Sequence, residues 1–284
     1  MKARRVYLDS NVLIDICDNQ TCALLTKIRK SVEHGTYIFP FSAEQISEIT
    51  SRDKPDRNTH RLQLLAEISR NNYFVHSVYE FGFKILSPGV VYETLNEVIV
   101  VENENKMFAN VVTREQQQKA CKEYGLNPIE LNDLDGEKAV ERINTALANY
   151  KYPDGIPSVP RSLEDFLKFA RENTIKHFSE QWKDLGATQD HMLRDHDVVT
   201  LFGLLETFGY WADDKATYDK GSRFPDGRHV SNASHFDVLV SEDKRLRNRA
   251  KAVYHTLKTP VSVMNSVQFA LELDNNASNH RIEQ

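Results

Sequence analysis

Val6-Tyr7-Leu8-Asp9-Ser10-Asn11-Val12-Leu13-Ile14-Asp15-Ile16 passes from a strand pattern to a helix pattern across three polar residues. The run Arg5–Leu8 is β-prone and stops abruptly at Asp9-Ser10-Asn11, three residues suited to a turn or a helix cap. Val12, Leu13, Ile14 and Ile16 then carry a helical apolar pattern that leads on through Leu24, Leu25 and Ile28. Outward from here the alternation repeats. Tyr37–Phe41 reads as a second strand, and Ser42-x-x-Gln45 is a capping box with Ile46 and Ile49 on the buried face of its helix. The pattern predicts a longer helix from about Asn58 to Ser69, with Leu62, Leu65, Ala66 and Ile68 inward, and a third strand at Tyr73–Val78. Strand signals return at Val238–Ser241 and Val261–Met264, with helices Asp197–Trp211 before them and Lys244–His255 between. Strands alternating with helices predict an α/β fold with a central parallel sheet covered on both faces.

From about Lys84 to Arg194 the rhythm changes to polar helices, at Glu115–Tyr124, Gly136–Tyr150 and Ser162–Gln181, the last two joined through Pro153, Pro157 and Pro160. The expected organisation is therefore one α/β domain in two parts, 1–84 and 195–270, interrupted by a helical insertion over 85–194. A polar tail at 271–284 is expected to fray.

Composition narrows the class. With 40% hydrophobic residues, 27% charged, 11 Gly and 9 Pro in 284 residues, the chain is neither collagen-like nor disordered. A net charge of −5 gives no bulk attraction to polyphosphate, so nucleic-acid binding needs a local basic patch. Cys17, Cys22 and Cys121 form no CxxC pair, which argues against a disulfide framework or structural zinc and for a reducing cytoplasm. Asp9 and Asp15 interrupt the apolar start before a signal-peptide core forms, and no apolar window reaches the roughly 18 residues of a membrane span. The Asn-x-Ser triplets at Asn232 and Asn276 then read as accidental.

The acids carry the chemistry. Functional groups in open parallel sheets gather beyond the carboxyl ends of the strands. Asp9 ends the first strand and Asp243 the fourth. Glu48 lies on the helix after the second strand, and Asp226 opens a helix, Gly227–Phe236, that runs into the fourth. Four carboxylates at one edge repel unless a cation sits among them, and oxygen donors without Cys point to Mg²⁺ or Mn²⁺. Glu44 shares the face of Glu48 and competes for its role, as Asp237 competes with Asp226. In this reading all four acids are catalytic, and Ser10, Asn11, Ser241 and Asp237 hold them from a second layer. Lys244, Arg245, Arg247, Arg249 and Lys251 follow Asp243; Arg52, Lys54 and Arg57 follow Glu48; Arg228 and His229 follow Asp226. These are candidate contacts to substrate.

The order VYLDSNVLIDI, FSAEQISEI, PDGRHVSNASHFDVLVSEDKRL resembles the PIN-domain ribonuclease family over about 174 residues. The resemblance implies a PIN-like three-layer α/β/α fold and a metal-dependent endoribonuclease acting through Asp9, Glu48, Asp226 and Asp243. It further implies products with a 5′-phosphate and a 3′-hydroxyl, and a role like that of toxin or defence nucleases. RNA, including tRNA or another structured RNA, would be the substrate. An antitoxin or defence-system protein is the expected partner, with a homo-oligomeric state and no membrane contact. The same residues leave open a non-catalytic RNA- or protein-binding module and a DNA-directed nuclease. A haloacid-dehalogenase-like phosphatase needs Asp-x-Asp, and Asn11 stands where its second acid would be.

Overall fold

The computed structural model describes residues 3–50, 54–77, 80–97, 114–151, 160–184, 189–213 and 223–282. In chain order the elements are β1 (Arg4–Leu8), α1 (Ser10–Asp18), α2 (Ala23–Glu33), β2 (Tyr37–Ile38), α3 (Ala43–Ile49), α4 (Pro55–Ser69), β3 (Asn72–His76), β4 (Phe81–Ile85) and α5 (Pro88–Glu97). There follow α6 (Arg114–Glu123), α7 (Pro128–Asn132), α8 (Gly136–Asn149), α9 (Leu163–Asp184), α10 (Gln189–Thr207) and α11 (Arg223–Ala233). The chain ends with β5 (Val238–Val240), α12 (Lys244–Thr256), β6 (Ser262–Met264) and α13 (Ser266–Ile282). The protein is a mixed α/β chain, mostly helical, with a four-stranded parallel sheet. Among the described residues no helix is long and apolar enough to cross a membrane.

Two compact units divide the chain: residues 1–99, 232–247 and 261–284 in the first, 100–231 and 248–260 in the second. These borders differ from the expected ones. Position 84/85 falls inside β4, whose backbone pairs antiparallel with β3 from Asn72↔Ile85 to His76↔Phe81. The helix α5 also belongs to the first unit, and residues 195–231 to the second.

In the first unit the sheet order is β2-β1-β5-β6, all parallel. Val6, Leu8, Val238 and Val240 turn one way into a core with Leu13, Ile16, Ile28, Phe41, Ile46 and Phe269. Tyr7 and Phe236 meet edge to face at 5.2 Å, and Phe74 and Phe83 pack on Phe236. The alternation is that of a sheet buried on both faces. The expected third strand joins this sheet only at a parallel bridge, Phe41↔Tyr73. The apolar pattern from Val12 to Ile28 forms two helices, because Asn19 closes α1 and the Cys22 sulfur caps α2. The capping box on α3 is present as expected: Ser42 N–H donates to Gln45 Oε1 and Gln45 N–H to Ser42 Oγ.

Residues 271–284, expected to fray, are helical through Ile282 as the second half of α13. Phe269 and Leu273, one turn apart, enter the core, and Phe269 stacks edge-on against Tyr37 and Phe39 at 5.9 and 6.1 Å. Glu272 accepts from Arg4 Nη1 at 2.6 Å and from the Tyr37 hydroxyl at 2.8 Å. Two apolar anchors and one ion pair suffice to order a segment whose composition reads as polar. The sequon Asn232 is buried, and Asn276 donates to the Tyr37 hydroxyl.

The second unit is helical among its described residues. Its core holds Cys121, Leu131, Ile143, Leu147, Leu163, Leu201, Phe202 and Leu205. Gly136 lets a helix start against a neighbour: a Cβ there would lie 2.9 Å from the Ala252 backbone. At its centre Arg249, with no exposed surface, lies over the Phe202 ring at 4.2 Å and pairs with Glu206, Asp213 and Asp226 at 3.3, 3.2 and 3.7 Å.

Replacing Phe269 with Ala is expected to cost about 3–5 kcal/mol of the first unit's stability. Hydrogen-exchange mass spectrometry should then show residues 266–282 losing protection together, whereas a frayed tail would be unaffected.

Candidate active site

The strand order reverses between β1 and β5. From β1 the chain moves to β2 on one side, and from β5 to β6 on the other, so the segments leaving their carboxyl ends diverge and open a crevice. The register Leu8↔Val240 sets Asp9 and Ser241 side by side at that edge. Asp9, only 3% exposed, caps α1. Its Oδ1 accepts from Ser10 N–H at 2.9 Å and its Oδ2 from Ser241 Oγ at 2.8 Å. The same Ser241 oxygen accepts from Asp243 N–H at 3.1 Å. Asp243 in turn caps α12, its Oδ1 taking Arg245 N–H at 2.7 Å and Leu246 N–H at 3.0 Å. Two hydrogen bonds through one hydroxyl thus connect Asp9 to the backbone of Asp243. Both acids sit at helix N-termini, whose partial positive charge offsets theirs.

The helix after the second strand adds a third carboxylate. Gln45 donates to the Leu8 carbonyl and so docks α3 on the end of β1. That docking leaves Glu48 exposed and Glu44 half-buried, with Glu44 Oε2 accepting from Asn232 Nδ2 at 2.9 Å. Of the two candidates that share this helix face, Glu44 is the half-buried one and Glu48 the exposed one. Both Glu44 and Asp9 act on the buried Tyr7 phenol. Burial pushes that phenol well above its ordinary 10.0, the Glu44 carboxylate adds to the rise, Ser42 and Asn232 oppose it by hydrogen bonding, and Asp9 adds a smaller push. Burial, then Glu44, takes Tyr73 up to about 12.

The other expected residues are placed as follows. Asp237 lies at the opposite end of β5, where Oδ2 accepts from Arg5 N–H at 2.7 Å, so it closes the start of the β1–β5 ladder and does not support the acids. Asp226, Arg228 and His229 belong to the second unit. Asp226 faces Arg249 there, His229 is buried and Arg228 is exposed. Ser10 is buried and its Oγ finds no hydrogen-bond partner among the described residues, whereas Asn11 is exposed on the first turn of α1. Arg57 pairs with Asp18, and Arg247 Nη1 donates to the Ser241 carbonyl at 2.6 Å. Lys54 and Lys244 are exposed and Arg245 is half-buried; Arg52 lies outside the described residues. Arg249, expected among the substrate cations, is instead the buried centre of the second unit's ion cluster.

Sequence reasoning did not find Asn232 and Tyr7, although both stand within the motif runs. Their role depends on burial, and only the burial of the strand hinted at it.

The donor set fits a hard cation. Asp9, Glu44 and Asp243 offer only oxygen, and neither Glu44 Oε1 nor Asp243 Oδ2 accepts a hydrogen bond from a described residue. Set against known proteins, the chain matches no family model, no curated protein and no solved structure.

Two outcomes follow for this edge. Ser241→Ala leaves Asp9 Oδ2 without its donor and is expected to cost about 1–3 kcal/mol in urea unfolding. Alkali should act through Tyr7: the folded chain holds this proton after the unfolded chain has lost it. The stabilisation is therefore complete below pH 10.0 and is lost as pH rises from there toward the folded value. The urea midpoint should fall above that pH, and Tyr7→Phe should flatten the decline.

Proposed function

We propose that this protein is a metal-dependent endoribonuclease of PIN-like design, hydrolysing RNA phosphodiester bonds at the crevice between β1 and β5. The observation that carries the reading is the coupling of Asp9 to Asp243 through Ser241 at the carboxyl ends of two adjacent parallel strands, with Glu44 on the helix that Gln45 docks against the end of β1. Far-separated acids gathered at a strand-order reversal, one of them buried, are costly for a fold unless a ligand uses them.

Asp9, Glu44 and Asp243 would hold Mg²⁺ or Mn²⁺, with Ser10 Oγ beside them as a neutral oxygen. Bound there, the ion would supply charge neutralisation for the phosphate and activation of a water. The chain's own groups do the rest. Ser241 and the Ser10 amide fix both oxygens of Asp9, so the carboxylate does not have to reorganise when substrate arrives. The Asp243 carboxylate is held by its helix cap through Oδ1, which leaves Oδ2 to face outward. Asn11, exposed on the first turn of α1, is suited to donate to a non-bridging phosphate oxygen, and Lys54 and Lys244 to track flanking phosphates. Asp226 enters this reading through the family resemblance alone. A toxin-like or defence role, with an inhibitory partner protein, suits such a nuclease, and three free thiols suit a reducing cytoplasm.

The test is incubation of the pure chain with Mn²⁺ and total RNA, alongside single-stranded DNA as competitor. Cleavage of RNA is expected, reduced on the order of 10²–10³-fold by Asp9→Asn and left largely intact by Glu48→Gln. Equal cleavage by wild type and Asp9→Asn, or none by either, sinks the proposal. Salt-dependent RNA affinity without cleavage would assign the fold to a binding module instead.

A further inference from the structure

A second constellation in the first unit uses nitrogen. At the end of β3, His76 faces His235, which lies between α11 and β5; the rings meet edge to face with centroids 5.3 Å apart. A ring nitrogen of each lies within 4.8 Å of one on the other. Both rings are half-buried, and Phe74 and Phe81 flank them with centroids 4.8–5.5 Å away.

The hydrogen bonds around this pair place a proton on one ring nitrogen of His76. Asn232 Nδ2 donates to Glu44 Oε2 at 2.9 Å, and its amide also hydrogen-bonds to the Tyr7 phenol. A carboxylate accepts only, so the NH₂ side of the amide must face Glu44 and the carbonyl oxygen must face the other way. That oxygen lies 2.5 Å from His76 Nδ1. Between an amide oxygen and a ring nitrogen the ring must be the donor, so Nδ1 carries a proton. In the neutral imidazole the lone pair then belongs to Nε2. Glu44, Asn232 and His76 thus form a chain that presents His76 Nε2 in ligand form. Fixing the tautomer by a hydrogen bond at the other nitrogen is how metal-binding histidines are usually prepared.

We infer that His76 and His235 form a binding site for a borderline divalent ion, Zn²⁺ foremost, separate in chemistry from the oxygen-only set. Imidazole nitrogen favours Zn²⁺, Ni²⁺ or Cu²⁺ over Mg²⁺. Zn–N bonds of about 2.0–2.1 Å require only a modest turn of two rings already this close. The remaining coordination positions would be taken by water. The ion would tie the end of β3 to the segment entering β5, and through Asn232 it would report to Glu44. The site stands independently of the phosphodiester reading, since none of its nitrogen ligands belongs to that set.

Calorimetric titration of Zn²⁺ into the full chain tests it. One ion per chain is expected, with affinity falling at least about 10-fold in His76→Gln and in His235→Gln and unchanged in Asp9→Asn. Asn232→Leu, which frees the tautomer, should weaken binding by about 10–100-fold. In the wild-type chain, long-range ¹H–¹⁵N spectra of the imidazoles should show His76 protonated at Nδ1, with its Nε2 resonance moving as Zn²⁺ is added. Absence of Zn²⁺ uptake by the wild type, uptake that survives both histidine substitutions, or a His76 protonated at Nε2 overturns the inference. Loss of nuclease activity in Asp9→Asn with Zn²⁺ uptake intact would separate this site from the oxygen set.

Discussion

The hydroxyl of Ser241 accepts from the Asp243 amide and donates to Asp9 Oδ2, and the arrangement of the sheet edge depends on it. An ionised carboxylate buried as deeply as Asp9 costs several kcal/mol unless donors meet it. Here one donor comes from the next residue in the chain and the other from a strand more than two hundred residues away. The second is available only if β5 lies beside β1, parallel and in the register Leu8↔Val240. A slip of one residue would bring Glu242 into the place of Ser241 and turn the apolar side chains of β5 to the wrong face. Sheet register, the cap of α1 and the cap of α12 are therefore one coupled constraint.

Asn232 plays the matching part on the other side of Glu44. Its amide links residues delivered by three elements: Glu44 from α3, Tyr7 from β1 and His76 from β3. A side chain only 2% exposed with every polar group engaged is rigid, and so it transmits orientation. It gives Glu44 a fixed direction.

How far this was legible in the sequence follows from what each feature depends on. The ends of β1 and β5 could be read because apolar runs stopping at Asp9 and at Ser241-Glu242-Asp243 are local signals, and the Ser42–Gln45 capping box is equally local. The choice between Glu44 and Glu48 was not readable, because residues four apart share a helix face. Docking, through Gln45 on the Leu8 carbonyl, half-buries Glu44 and leaves Glu48 exposed. Asp237 and Asp243 likewise look equivalent as acids flanking a strand, yet three strand residues place them at opposite sheet edges. The strand β4 was missed although Phe81-Gly-Phe-Lys-Ile alternates. Gly82 weakens the signal, and the strand's hydrogen bonds to β3 are what hold it. In α13 the polar residues dominate the composition, while Phe269 and Leu273 dominate the packing.

The cations show why charge counting along a helix misleads. The basic run after Asp243 looks like a phosphate track, but Arg247 is spent on the Ser241 carbonyl and Arg249 on three carboxylates inside the second unit. Breaking such a buried cluster leaves uncompensated charge, so Arg249 is a structural residue whatever substrate the protein takes. With a chain charge of −5, attraction of a polyanion to the first unit's edge then falls to exposed side chains such as Lys54 and Lys244. An edge carrying Asp9, Glu44 and Asp243 repels phosphate until a cation neutralises it. On the nuclease reading, ion binding and RNA binding must therefore be thermodynamically linked, each raising the affinity for the other by the same factor. The acids that would hold the ion would then also make it a condition of substrate binding.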